Sequence, residues 1–140
     1  MRLAMPDAIK RFFAPVPESV GQARDFVLRT LAAWGLEGRD EDIRLCVSEL
    51  ATNALTHGTP CGQGFHVTMS AEDTIVRIEI HDAAPHWPRP RRSTDDDTSG
   101  RGLHIVDMLS DDWGVEDRGV AGKVVWSRFK TAPTIQEAPC

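Results

Sequence analysis

Three places along this 140-residue chain bring together residue types that could do chemistry. In LCVSELATNALTHG (45–58), Glu49, Asn53 and His57 stand four residues apart. Residues four apart on a helix meet on one face. With Leu50 as the zero of a helical wheel, Ile43, Cys46, Val47 and Ala54 fall within about 60° of it, Asn53 near about −60° and Glu49 near about −100°. A carboxylate and an amide therefore sit one turn apart on the margin of an apolar stripe. The second place is Asp82, which ends the alternating run TIVRIEIHD (74–82). The third is SGRGLHIV (99–106), where Gly100 and Gly102 immediately precede a helical pattern. Glycines there let backbone N–H groups face an anion at the positive helix end, which is the chemistry of a phosphate cradle. Each feature has an ordinary reading too: Glu and Asn at a helix margin can simply edge a core, and Gly-rich helix starts are frequent. His57, near about −20° at the helix end, reads as a core or capping residue. The combination in this order is more specific than any member.

The elements that must position these groups are legible in outline. RFFAPV (11–16) reads as an edge strand stopped by prolines. Over 17–36, Val20, Ala23, Val27, Leu31 and Trp34 recur at spacings of three and four, with Pro17 and Glu18 suited to a first helical turn. Asp40, Glu41 and Asp42 favour the start of the second helix, and Gly58 its end. FHVTMSA (65–71) and TIVRIEIHD (74–82) alternate as a hairpin turning about Glu72 and Asp73. Residues 83–99 lose all pattern, a length that in a compact domain marks a functional or disordered segment. A helix is predicted over 100–112 through Leu103, Val106 and Leu109, followed by strands WGVED and GKVVWSRF. Grouped helices and adjacent strands predict an α+β, two-layer α/β sandwich. Its sheet is expected to be mixed but mostly antiparallel, with helices on one face. One domain is expected over 11–130, with an N-terminal extension at 1–10 and a flexible C-terminal tail at 131–140.

The bulk numbers exclude several classes. A hydrophobic fraction of 41% and a charged fraction of 26% belong to a globular domain. The net charge of −5 argues against direct binding to nucleic acid or an anionic membrane, which would need a basic face. No apolar run approaches about 18 residues and the N-terminus lacks a signal-peptide core, so a cytoplasmic location is expected. Cys46, Cys61 and Cys140 have no ligand spacing, and Cys46 falls in the apolar pattern of its helix. The spacings of His57, His66, His81, His86 and His104 match no paired-His metal pattern, and His66 and His81 read as polar strand positions.

On ELATNALTHG, SGRGLHIVDMLSDDWGV and GKVVWSRF, the chain resembles the GHKL ATPase superfamily, and within it the small anti-sigma-factor serine/threonine kinases. The resemblance spans roughly residues 11–130 and implies a Bergerat-type ATP-binding fold. It implies ATP and Mg²⁺ as cofactors, with Asn53 the metal-holding residue and Glu49 the catalytic base toward a Ser or Thr hydroxyl. Asp82 would accept a hydrogen bond from the adenine amino group, and 83–99 would form a lid. The nucleotide-binding set it implies is Asn53, Asp82, Ala84, Gly100, Arg101, Gly102 and Leu103. The partners implied are an anti-anti-sigma-type protein substrate, a sigma factor and a second copy in a homodimer. Two departures stand out: DAA puts Ala84 where the family has glycine, and GKVVW puts Lys123 and Val124 where it often has threonine. They motivate an alternative in which the same fold is a non-catalytic module holding a regulatory partner, with weak nucleotide binding or none.

Overall fold

The computed structural model describes residues 8–57, 63–82, 103–118 and 122–134. Strand β1 is Ile9–Phe13, two residues earlier than the apolar run suggests, and so takes in the end of the expected N-terminal extension. It stops where Pro15 and Pro17 remove the N–H groups a ladder needs. Val16 N–H instead turns back to Ala14 O at 2.8 Å and leads into helix α1, Glu18–Trp34. Helix α1 ends on Gly35, whose φ of 71° provides the left-handed cap that glycine adopts without strain. After the short strand β2, Leu36–Glu37, comes helix α2, Asp40–His57.

Strands β3, Phe65–Glu72, and β4, Ile75–Asp82, form the expected hairpin. Its turn lies one residue later than expected, at Asp73 and Thr74, with Asp73 at φ 57°. Helix α3 covers 103–109. It ends sooner than the helical period suggested, because Asp111 N–H already bonds to Arg128 O at 2.9 Å. Strands β5, Asp112–Asp117, and β6, Lys123–Lys130, complete a five-stranded sheet in the order β1-β3-β4-β6-β5. Among the described residues every pairing in it is antiparallel, without the parallel pair that a mixed sheet would contain.

The register sorts the sheet into two faces. Phe65, Val67 and Met69 stand opposite Asp82, Ile80 and Ile78, and Val76, Ile78 and Ile80 stand opposite Phe129, Ser127 and Val125. All of these are buried. They form one core with Ala23, Val27 and Leu31 of α1, with Ile43, Cys46, Val47, Leu50, Ala51 and Ala54 of α2, and with Val106 of α3. The helices therefore cover a single face. The other face carries His66, Thr68, Arg77, Glu79, His81, Trp126 and Arg128. There Glu79 accepts from Arg77 at 2.7 Å and contacts His81 at 2.8 Å, and the Arg77 guanidinium lies 4.4 Å from the Trp126 ring centre.

Four residues of the expected C-terminal tail are paired with the rest of the fold. Residues 131–134 are held: Ala132–Pro133 forms β7, paired antiparallel with β2. Thr131 N–H donates to Thr74 O at 2.9 Å and Thr134 N–H to Gly35 O at 2.7 Å. The physical reason is that β2, leaving the capped end of α1, exposes ladder groups that this segment satisfies. Residues 135–140 lie outside the described ones.

Candidate functional site

Helix α2 buries a stripe made by Ile43, Cys46, Val47, Leu50, Ala51 and Ala54. Ser48 lies on another side, where Arg24 of α1 donates to its Oγ at 3.1 Å. On the wheel that is about 160° from Leu50, while Glu49 and Asn53 occupy the margin turned away from it. Both are half-buried. Among the described residues, no hydrogen bond or ion pair holds the Glu49 carboxylate or the Asn53 amide. The pair thus places a carboxylate and an amide side by side at the edge of the core, both reachable from solvent.

Helix α2 packs against β4, whose last residue is Asp82. The Asp82 residue is 6% exposed and belongs to the core-facing side of the sheet. Directly opposite it on β6 is Lys123, and both residues take part in further interactions. Opposite charges in direct cross-strand register stabilise by about 0.2–1 kcal/mol. Val124, the other residue at the position where a threonine was missed, lies on the far face and is buried. Of these two residues, only Lys123 stands directly opposite the carboxylate.

Leu103, at the start of the described part of α3, is partly buried against the same core. Glu49, Asn53, Asp82 and Leu103 are thus contributed by three elements around one hydrophobic core. Ala84, Gly100, Arg101 and Gly102, the 83–99 segment and the side chain of His57 lie outside the described residues.

The donor set fits the groups the sequence implies. An amide oxygen and a carboxylate suit a hard, oxygen-preferring cation such as Mg²⁺, and a buried strand-end carboxylate suits an amino group. Cys46 is a different case. Burial, followed by the nearby Asp42 and Glu49 charges, pushes its thiol up to about 12. It is an inert core residue. Among the described residues no three or more His, Cys, Asp or Glu side chains cluster as a metal site. His66 and His81 stand opposite each other on the polar face, away from the helices. Burial, then Lys10 and His81, hold the His66 imidazole below its usual value.

The sequence reading gave Arg39 no role. Its signal was its place in GRDED, immediately before α2 and three residues from Asp42, but its decisive contacts are far along the chain. Arg39 Nη1 donates to Asp111 Oδ2 at 2.7 Å and Nη2 to Leu109 O at 2.6 Å.

Comparison with known proteins agrees with the fold. A family model described as a histidine kinase-like ATPase domain matches residues 13–129, most of the chain. A solved structure, that of the RsbU and RsbW domains of Rv1364c from Mycobacterium tuberculosis, superposes with a TM-score of 0.69 at 18% identity. The superposition covers 90% of this chain and 33% of that one, and shows a shared fold. Comparison with curated proteins finds no matching relative. With a family match over residues 13–129, the chain belongs to the histidine kinase-like ATPase domains.

Proposed function

We propose that the protein is an ATP-dependent serine/threonine protein kinase that phosphorylates an anti-anti-sigma-type partner and binds a sigma factor when that partner is unavailable. The observation that carries the reading is the Glu49–Asn53 pair, side by side on the α2 margin with no hydrogen-bond or ion-pair partner among the described residues. A module that only held a partner would need neither group. The family membership supports ATP as the nucleotide, and the likeness to a structure containing an RsbW domain supports a partner-switching role.

Bound ATP and Mg²⁺ would supply the transferable phosphoryl group and the charge that offsets its oxygens. Asn53 would hold the ion through its amide oxygen. Glu49 would take the proton of the partner's Ser or Thr hydroxyl as that oxygen bonds to the γ-phosphorus and the bond from that phosphorus to the departing ADP breaks, a contribution of about 10²–10⁴-fold. Asp82 would accept from the adenine amino group. Gly100, Arg101, Gly102 and Leu103 would face the phosphates, and Ala84 would lie near the base. The reading also takes the protein to act in the cytoplasm and as a homodimer. No helix among the described residues is long and apolar enough to cross a membrane.

The test is phosphate transfer from labelled ATP to co-expressed anti-anti-sigma-type proteins, with Glu49→Gln in parallel. ATP-dependent labelling that the variant loses is the result the reading requires. Absence of labelling with every cognate partner would refute it. One observation favours a second reading, a non-catalytic binding module: Lys123 stands in register across from Asp82 on one side and Asp117 on the other, a cationic neighbour for the carboxylate assigned to adenine. Partner binding indifferent to Glu49→Ala, with no ATP affinity, would establish that alternative.

A further inference from the structure

Arg39 lies at the junction between α2 and α3, and its guanidinium is satisfied on all three nitrogens. Nε donates to Asp42 Oδ2 at 2.9 Å, in the first turn of α2. Nη1 donates to Asp111 Oδ2 at 2.7 Å and to Lys130 O at 3.3 Å. Nη2 donates to Leu109 O at 2.6 Å, in the last turn of α3. The flat face of the group lies 5.4 Å from the ring centre of the fully buried Phe129. Asp111 is itself held by Lys130 N–H at 2.6 Å. Burial disfavours the Arg39 charge, but the Asp111 and Asp42 carboxylates outweigh it and raise its pKa.

This is more than a surface ion pair. A terminal helix carbonyl has no partner within its own helix, and a cation there also meets the negative end of the dipole. Arg39 supplies both to α3 while its own backbone carbonyl accepts Ile43 N–H at 2.9 Å at the start of α2. One side chain thus ties the beginning of the helix bearing Glu49 and Asn53 to the end of α3, whose first described residue is Leu103. A helix rises about 1.5 Å per residue, so a tilt at Leu109 is carried to Leu103 about 9 Å away.

We propose that Arg39 is a positioning residue that seats α3 against the start of α2 and so sets the spacing between Leu103 and the Glu49–Asn53 pair. Its consequence for nucleotide rests on the ATP-binding reading above; the seating itself does not. Lysine keeps the charge but lacks the planar fork, so it cannot reach Asp42, Asp111 and Leu109 O together.

The test combines hydrogen exchange of the nucleotide-free protein with calorimetric ATP·Mg²⁺ titration. The proteins are wild type, Arg39→Gln, Arg39→Lys and Asp111→Asn, with Arg128→Gln as control. Arg128 makes an exposed pair with Asp112 at 2.9 Å and lies against Trp126, and among the described residues its side chain bonds to neither helix. In Arg39→Gln, amides of 103–109 should lose protection while those of the β3–β4 hairpin keep theirs, which also shows that the variant is folded. ATP affinity should fall on the order of tenfold, since small misplacements of a site cost that much or more. Asp111→Asn should match it in kind, Arg39→Lys should recover part of both effects, and Arg128→Gln should change neither. Wild-type protection of 103–109 in Arg39→Gln would overturn the seating role, whatever the nucleotide does. Lost protection with unchanged ATP affinity would overturn its link to the site. A wild-type protein that binds no ATP would refute the proposed function, and the exchange result would still decide for or against the seating.

Discussion

Glu49 and Leu50 are neighbours in sequence, yet replacing them should have opposite consequences. Leu50 is 2% exposed within the core stripe of α2. Truncating such a leucine to alanine removes its transfer free energy and leaves a cavity, at a cost of about 2–5 kcal/mol. Against a total stability of about 5–15 kcal/mol, that is a large fraction, and Leu50→Ala should lower the melting temperature markedly. Glu49 is half-buried and, among the described residues, makes no hydrogen bond or ion pair. Glu49→Gln keeps its shape and should therefore leave stability within about 0.5 kcal/mol, as for a substitution away from packed or paired groups. If the carboxylate is the proton acceptor, the same change should lower phosphate transfer by about 10²–10⁴-fold. At about 1.36 kcal/mol per tenfold, that is roughly 3–5 kcal/mol on the barrier. The assay pairs urea unfolding of both variants with labelled-phosphate transfer measured per folded molecule. A Glu49→Gln protein that transfers phosphate within a few-fold of wild type, or that unfolds as readily as Leu50→Ala, would refute the reasoning.

Other expectations follow from single contacts. The Cys46 thiol, pushed up to about 12, should resist alkylation at pH 8 in the folded protein and react only on unfolding, as followed by mass spectrometry. Asp111 is held below the usual carboxylate range, first by the Lys130 N–H and also by Arg39, against an opposing desolvation. A depressed folded pKa contributes stability that is present above the ordinary carboxylate pKa and is lost as pH falls through the folded one. Asp111→Asn should therefore be less stable than wild type near neutrality, with the gap closing in acid, as read by urea midpoints across pH. Gly114 lies under the Trp126 ring, and a Cβ there would sit 2.7 Å from it. The ring is flanked by Arg77 and Arg128, so it cannot swing aside freely. Gly114→Ala should cost about 1–3 kcal/mol and change tryptophan fluorescence; unchanged stability would contradict the packing described.

The sequence made the middle of this fold legible because its elements are long and periodic. The wheel of α2 placed Leu50 and its stripe inside and Glu49 and Asn53 at the margin, and the two alternating runs paired as β3 and β4. Boundaries failed where hydrogen bonding, not apolarity, decides. Strand β1 includes Ile9 and Lys10 because they pair with Met69 and Thr68, a partnership no local pattern reveals. Residues 132–133 look like loop, and become a strand only because β2 is beside them. Arg39 was invisible as a junction for the same reason: Leu109 and Asp111 are some seventy residues away. Lys123 could be noted as a departure from the family pattern, but only the register shows it opposite Asp82.

The most direct measurement is calorimetric titration of the wild-type protein and Asn53→Ala with ATP in the presence and absence of Mg²⁺. The account predicts Mg²⁺-dependent binding to the wild type that Asn53→Ala loses while remaining folded. A folded wild-type protein that takes up no ATP at millimolar concentration, or an Asn53→Ala variant that binds it equally well, would contradict the claim that this helix margin is the floor of a nucleotide site.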